Sequence, residues 1–289
     1  MWLLSKPLFT SVVLPTIPRP IRWMLRRLYF TPFDLADRIL GRREEFVPPK
    51  SKIFTGSVDG FKASGERLVQ MLEGLAGLEP DTKIVDIGSG MGRLAVPLTR
   101  YLSPNGRYDG LDVVESGIRW CNETIAPKHP NFRFTLADVF NKEYNPSGRL
   151  KPSEYRFPYA DGSVDLVVLS SVFTHMLPTD MEWYVSEISR VLKKGGRCFA
   201  TYFLINPESR RRMDAGESSL RFRHELGTYS VVNTKVPELG VGYDEGYVRD
   251  VLNGLFGHTT IYYGGWCGRP PLWSPESGLG DQDVVLATK

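Results

Sequence analysis

Three glycines at alternate positions, Gly88, Gly90 and Gly92 in VDIGSGMGR (85–93), stand just behind a carboxylate, Asp86. Backbone that bare admits a ligand to close range, and nucleotide cofactors are the usual guests of such loops. A dinucleotide fingerprint needs a third glycine at the sixth position, where this chain has the bulky, charged Arg93. A phosphate loop needs Gly-Lys-Ser/Thr, which does not follow, and Asp86 would repel a phosphate. The loop therefore suits a ligand without phosphates. A second reactive side chain is His175, in SSVFTHM, a candidate general base for a hydroxyl or carbon acid. Asp180, Glu182 and His224 are further candidates. The three cysteines, Cys121, Cys198 and Cys267, form no CxxC pair and have no histidine at ligand spacing. They predict small buried hydrophobes in a reducing cytoplasm and no metal site.

The elements that must hold these residues alternate between strand and helix from Ser51 on, which predicts an α/β, doubly wound, mainly parallel sheet with helices on both faces. KIVDI (83–87) is the first buried strand, and the glycine loop leads from it into a helix through Leu94, Leu98 and Leu102. Pro97 is tolerable there only near the helix start. RYDGLDV (107–113), NFRFTLADV (131–139) and VDLVVLS (164–170) read as strands two to four, RCFATYFL (197–204) as the fifth. Thr179 and Glu182 predict a capping box opening the helix through Met181, Val185, Ile188 and Leu192, closed by Lys193 to Gly196. Residues 205 to about 242 carry Arg210, Arg211, Arg212, Arg221 and Arg223 without a clean period and read as an insertion after strand five. A helix from Glu245, a strand TTIYYG, a GGWCGRPP loop and a strand DVVLAT follow.

D-I-G-S-G-M-G (86–92) resembles the first motif of the class I S-adenosylmethionine-dependent methyltransferases, and the similarity runs in order through residues 54–204. FPYADGSVDLVVLSSVFTHM resembles the family's fourth-strand block, and EISRVLKKGGRCFATYF its next helix, turn and strand. The resemblance implies a Rossmann-like, seven-stranded sheet and S-adenosylmethionine as cofactor. It implies that Asp86, Gly88, Ser89 and Gly90 floor the methionine end, that Asp112 accepts from the ribose hydroxyls with Val113 beside it, and that Asp138 holds the adenine amino group with Val139 supplying backbone. Phe61 and Gly65, with Gly56, precede the core where the family closes over the cofactor, and Ser170 ends the fourth strand. A cofactor carrying a sulfonium and an ammonium inverts the charge logic of a phosphate and fits Asp86.

The acceptor is expected from what the core does not use. Trp, Tyr, Phe and Arg in the first fifty residues, the insertion and the GGWCGR loop suit a small or lipid-like metabolite methylated on O, N or C. The alternatives are an RNA methyltransferase and a cofactor-binding module without catalysis. Lys and Arg total 36 against 33 Asp and Glu, a net +3 too slight to imply nucleic acid, and Asp214 and Glu217 dilute the 210–212 arginine run. Residues 1–50 form a proline-punctuated, apolar and basic extension to a domain at 51–289. No apolar run there approaches the roughly 18 residues of a membrane span, and no cleavage site marks an export signal. In IRWMLRRLYF (21–30), Ile21, Met24, Leu25 and Leu28 recur at helical spacing beside arginines. Such a helix rests either on an anionic membrane surface, through residues 1–45, or on its own domain. The expected location is cytoplasmic, peripheral at the inner membrane face in the first case. The sequence leaves oligomeric state open.

Overall fold

A computed structural model describes residues 19–54, 60–142, 144–218, 220–270 and 282–289, with backbone alone at 19, 20, 22 and 23. Gly56, residues 1–18 and most of the segment after Pro270 lie outside the described residues. The chain divides into two compact units, residues 1–59 and 60–289.

In the first unit, helix α1 (Arg19–Ile39) continues well past the expected 21–30 segment, with Pro32 inside it. The Asp34 carboxylate accepts the Lys50 and Ser51 amides at 2.7 and 3.0 Å, folding the following segment back onto the helix. Ile21, Met24, Leu25, Leu28, Leu35 and Ile39 are exposed by 45 to 74%. No described helix is long and apolar enough to cross a membrane.

The second unit is built on a seven-stranded sheet. Strands β1 (Lys83–Ile87), β2 (Arg107–Asp112), β3 (Phe132–Leu136), β4 (Val164–Leu169) and β5 (Leu192–Tyr202) run parallel. After a small second sheet, β10 (His258–Tyr262) and β11 (Asp283–Thr288) complete the first, in the order β10-β11-β5-β4-β1-β2-β3. β11 is antiparallel to both its neighbours. The chain leaves β1 toward β2 and β3, then crosses to β4 on the other side. The crevice at that reversal, at the carboxyl ends of β1 and β4, is where such sheets bind ligands. Near-continuous apolar runs, as in β4, follow from burial on both faces. Helices α2 (Phe61–Ala76) and α3 (Ala95–Tyr101) pack on each other, as do α5 (Pro178–Val191) and α7 (Glu245–Asn253); α4 (Glu115–Thr124) packs on β2 and β3. Pro97 falls in the first turn of α3, where it removes no intrahelical bond.

Two expected helix signals are corrected. α5 starts at Pro178 with Leu177 as its cap residue, so Thr179 lies inside the first turn and no Thr179/Glu182 capping box forms. The LysLysGlyGly segment does not close that helix but belongs to β5. Val164 pairs with Leu192 and Leu166 with Arg197, so four residues bulge opposite one. The bulge is fixed by Lys193 on Asp165 at 2.5 Å and by the Gly195 amide on the Lys289 carbonyl at 2.7 Å.

The insertion without a period is ordered. It holds β6 (Leu204–Ile205), α6 (Pro207–Asp214), β7 (His224–Glu225), β8 (Tyr229–Val231) and β9 (Val241–Asp244), a sheet of order β6-β9-β8-β7. Asn206 and Ser209 cap α6 reciprocally, each side chain accepting the other's amide. Trp266, Cys267 and Arg269 of the GGWCGR loop are buried, against the expectation that this loop's aromatic and basic residues grip the acceptor. Trp266 packs on Phe203 and Phe222, and its indole N–H donates to the fully buried Asp283 at 2.7 Å. Asp283 also accepts the amides of Leu204 and Gly264, each at 2.8 Å. Cys121, Cys198 and Cys267 are all buried and free, and burial pushes the Cys198 thiol up to about 12.

A Cβ on Gly65 would stand 2.2 Å from the Arg93 carbonyl oxygen, so α2 and the start of α3 meet through this missing side chain. In an open helix, Gly to Ala stabilises. Here Gly65→Ala is expected to destabilise the fold by about 2 kcal/mol, the range of overpacked cores. Urea denaturation checks the sign, and a stabilised variant refutes the contact.

Candidate functional site

The glycine loop hangs from the end of β2. Gly88 and Ser89 donate their amides to the Leu111 carbonyl at 2.8 and 3.0 Å. The buried Asp112 carboxylate accepts the Gly90 amide on one oxygen and the Val114 amide on the other, both at 2.7 Å. Gly88, Gly90 and Gly92 have φ of 79°, 58° and 81°, values that L side chains rarely adopt. The glycines differ in what they face. A Cβ on Gly88 would meet Val172 at 2.5 Å, and one on Gly92 would meet Ile125 and Cys121 at 3.0 and 3.1 Å. Their openness serves packing of the loop against the segment after β4 and against α4.

Asp86 is buried at the end of β1 and accepts the Tyr108 hydroxyl at 2.6 Å. Burial pushes its carboxyl up to about 6, Tyr108 and Arg93 pulling it back and Asp112 pushing the same way as burial. Burial also raises Asp112, against the pull of the amides it accepts. Arg93 reaches from the loop to the end of β4, donating to Ser170 Oγ at 3.0 Å. Its guanidinium pKa is lowered by burial and raised by Asp86. Two carboxylates are buried here and only Asp86 has Arg93 as an electrostatic partner, so a positive ligand group would offset the remaining negative charge. Ser89 Oγ is buried without a hydrogen-bond partner, a polar atom placed for a ligand to satisfy. The acidic pair and the orphan hydroxyl fit a cationic cofactor and would not fit a phosphate. Ser89, Asp86, Asp112 and Gly90 are the residues that could hold it.

The other expected contacts are distributed around this centre. Phe61 is buried at the start of α2, and the space before Gly65 is filled by Arg93 backbone. Val113 is half-buried beside Asp112. Asp138, beyond β3, is partly exposed and paired with the Arg149 side chain and amide; those bonds hold its carboxyl below the usual range. Val139 is buried, and its carbonyl accepts Asn145 Nδ2 at 3.0 Å. Leu136, Phe140 and Leu150, close to Asp138 along the chain or through the Leu150–Asp138 backbone bond, are exposed by 41 to 42%.

His175 closes the 3-10 turn after β4. Its Nδ1 lies 2.8 Å from the Glu238 carbonyl oxygen, and its ring meets Tyr144 edge to face at 6.3 Å. A carbonyl only accepts, so Nδ1 carries the hydrogen and, in the neutral ring, Nε2 holds the lone pair. Three separate segments, from the β3–β4 connection, the β4 turn and the insertion, therefore meet at this imidazole. Asp180 instead accepts the Ser153 amide and Glu182 the Tyr247 hydroxyl, while His224 is exposed on β7. Sequence reasoning missed Tyr108, Tyr144, Glu238 and the partnership of Arg93 with Ser170, because each acts through a contact distant in sequence. It also missed Ser171, at φ 63° in a conformation that favours glycine. The Ser171 amide donates to Thr201 Oγ1 at 2.7 Å and its hydroxyl to Gln282 at 3.0 Å, which fixes the turn leading to Val172 and His175.

Residues 84–196 match the family model described as a methyltransferase domain. The chain is 25% identical over 139 residues to the tRNA N(3)-cytidine methyltransferase METTL2 of Gallus gallus, which covers 45% of this chain and 33% of that protein. It is 26% identical over 143 residues to the methyltransferase GfsG of Streptomyces halstedii, 49% of this chain and 45% of that one. The chain thus spans under half the length of these relatives. The fold is similar to that of a Nostoc punctiforme PCC 73102 protein with a proposed O-methyltransferase activity, at a TM-score of 0.52 and 17% identity over 79% of this chain and 56% of that one. The PH0226 protein of Pyrococcus horikoshii OT3 is similar at 0.51 and 15% identity, over 79% and 90%.

A carboxyl raised to about 6 is ionised above that pH and neutral below it, and a bound cation favours the ionised form. Affinity for S-adenosylmethionine should therefore be full at pH 7 and fall by up to about tenfold by pH 5. Asp86→Asn should bind more weakly at pH 7 and lose that slope. Calorimetry across the range checks it; parallel slopes in the two proteins remove Asp86 from the account.

Proposed function

We propose that the chain, whose core is a class I S-adenosylmethionine-dependent methyltransferase domain, transfers the cofactor's methyl group to an O, N or C atom of a small or lipid-like acceptor. The observation that carries this reading is the enclosure of His175 by Tyr144 and Glu238. Segments that meet around one imidazole suit a compact acceptor better than an extended polymer. The arginine run supports the same reading, since Arg210 pairs with Glu225 and Arg212 with Glu208 and Glu217 instead of forming a continuous basic stripe.

When bound, the cofactor supplies a methyl carbon made electrophilic by its sulfonium. The chain's own task is to orient the partners in line and keep water away. Asp86 and Asp112 place negative charge beneath the cation, and Ser89 offers its unpaired hydroxyl. Each Asp112 oxygen accepts one amide and keeps a further lone pair, which leaves capacity for ribose hydroxyls. Asp138, held ionised by Arg149, is the acceptor we assign to the adenine amino group, with Leu136, Phe140 and Leu150 as apolar surface for the ring. His175 takes the proton from an acceptor hydroxyl or carbon acid through Nε2, its Nδ1–H anchored on Glu238.

The first unit supports a lipid-side location. α1 exposes an apolar stripe at helical spacing and carries five arginines against two aspartates, the pattern of a helix lying in an anionic interface. On this reading the helix brings the domain to acceptors that partition into the membrane.

Three measurements check these proposals. Incubating a host extract with methyl-labelled cofactor should put label in the small-molecule or lipid fraction; label in RNA instead overturns the acceptor class. With that acceptor, His175→Gln should lower kcat by at least about 100-fold while leaving cofactor affinity intact, the usual worth of a positioned base. A loss under about threefold would mean that the acceptor needs none. The full chain should sediment with anionic but not zwitterionic vesicles, and Leu28→Glu with Leu35→Glu should abolish it; a chain that never sediments ends the membrane reading.

A further inference from the structure

Arg210, Arg221 and Arg223 come together around one cleft. It encloses about 400 Å³ between α6 and the segment that enters β7, lined also by Met213, Phe222, Asp214 and Glu225. Arg210 is paired with Glu225. Arg221 and Arg223 make no side-chain hydrogen bond or ion pair among the described residues, and both are exposed. Other arginines behave otherwise: Arg212 is engaged by Glu208, Glu217 and the Gly268 carbonyl, and Arg269, of the GGWCGR loop, by Glu208. The insertion thus uses some of its arginines to hold itself together and leaves others facing a cavity.

We infer that this cleft is a binding site for a phosphate-bearing small molecule. Guanidinium forks match the oxygens of a tetrahedral anion, and the two unengaged forks of Arg221 and Arg223, with the Glu225-paired Arg210 beside them, can grip a phosphate from more than one side. Phe222 is 5% exposed and braced by Phe203 and Trp266, each ring centroid at 5.5 Å, so it fixes the segment that carries Arg221 and Arg223, while the half-buried Met213 gives the cleft an apolar side chain for the organic part of the ligand. The volume falls within the roughly 300–1,000 Å³ of metabolite sites and exceeds the need of a bare ion. Asp214 and Glu225 on the wall oppose an extended polyanion, which binds along a continuous basic track. The cleft uses none of the residues assigned above to the cofactor or to the acceptor's proton, so it is a second site on the insertion.

The test is calorimetry on the full chain at low ionic strength, with inorganic phosphate and phenyl phosphate as probes. Phenyl phosphate should bind more tightly than phosphate, and Arg221→Gln with Arg223→Gln should weaken it at least about tenfold, the loss of charged forks. Arg211→Gln removes one positive charge from an exposed residue outside the cleft and should stay within about twofold, as expected of a surface charge. Unchanged thermal midpoints show that the variants fold. Displacement of phenyl phosphate by vesicles containing phosphatidic acid assigns the phosphate to a lipid headgroup; displacement by soluble phosphate esters alone assigns it to a free metabolite. No binding of phenyl phosphate, equal loss in Arg211→Gln, full binding in the double variant, or displacement by an oligoribonucleotide in preference to phosphate esters would overturn the inference.

Discussion

Asp112 is a carboxyl group with almost no access to water; burial pushes its pKa up, and the two backbone amides it accepts pull the other way. One belongs to the glycine loop and the other to the start of α4, so a single side chain joins the carboxyl ends of β1 and β2. A buried anion without those partners would be expensive, and loop amides without an acceptor would be too. Each requirement answers the other. The left-handed conformation at Gly88, Gly90 and Gly92 follows, since only that path turns the Gly90 amide toward β2. The same fold of the loop brings Arg93 back across the crevice to Ser170, which ties β1 to β4 on the opposite side.

That arrangement leaves a deliberate imbalance of charge. The Tyr108 hydroxyl donates to Asp86 and Arg93 stabilises its charge, while Asp112 adds a second negative group. A loop built for phosphate presents amides with no opposing acid. Here the acids are inside and the amides are already taken. The sheet therefore uses a nucleotide-binding topology with electrostatics suited to a cation, and the buried acids Asp86 and Asp112 beside the loop decide between the two.

Much of this half was legible in the sequence because its determinants are local. β1, its loop and α3 are contiguous, Pro97 falls where its missing amide matters least, and Asp112 and Asp138 follow strand ends in the expected places. The failures share one cause. The LysLysGlyGly turn is a plausible helix stop in isolation, yet Asp165 and Lys289, 28 and 96 residues from Lys193, hold it as a bulged strand. Thr179 has the right spacing for a cap, but Pro178 claims the first helical position. Trp266 and Arg269 resemble ligand-gripping residues by type, and Asp283 turns them inward. A Cβ on Gly65 or Gly88 would meet the Arg93 backbone or Val172, contacts that local spacing does not reveal. Residue type identifies the chemistry available; contacts across the sheet decide where it is used.

Asp283 has a further consequence, which concerns the order in which the molecule can be completed. It accepts from Leu204, Gly264 and Trp266, residues at the exit of β5 and in the loop before it, and β11 separates β5 from β10. During synthesis from the N-terminus, residues 60–202 already contain β1 to β5 in mutual contact, enough to shape the cofactor crevice. The indole of Trp266 and the amide of Leu204 must wait for a partner that emerges later, and β10, which packs on α7, has no strand partner until β11 arrives. The half that meets the cofactor can thus mature on the ribosome, while the insertion is locked by a carboxylate made after nearly everything it holds.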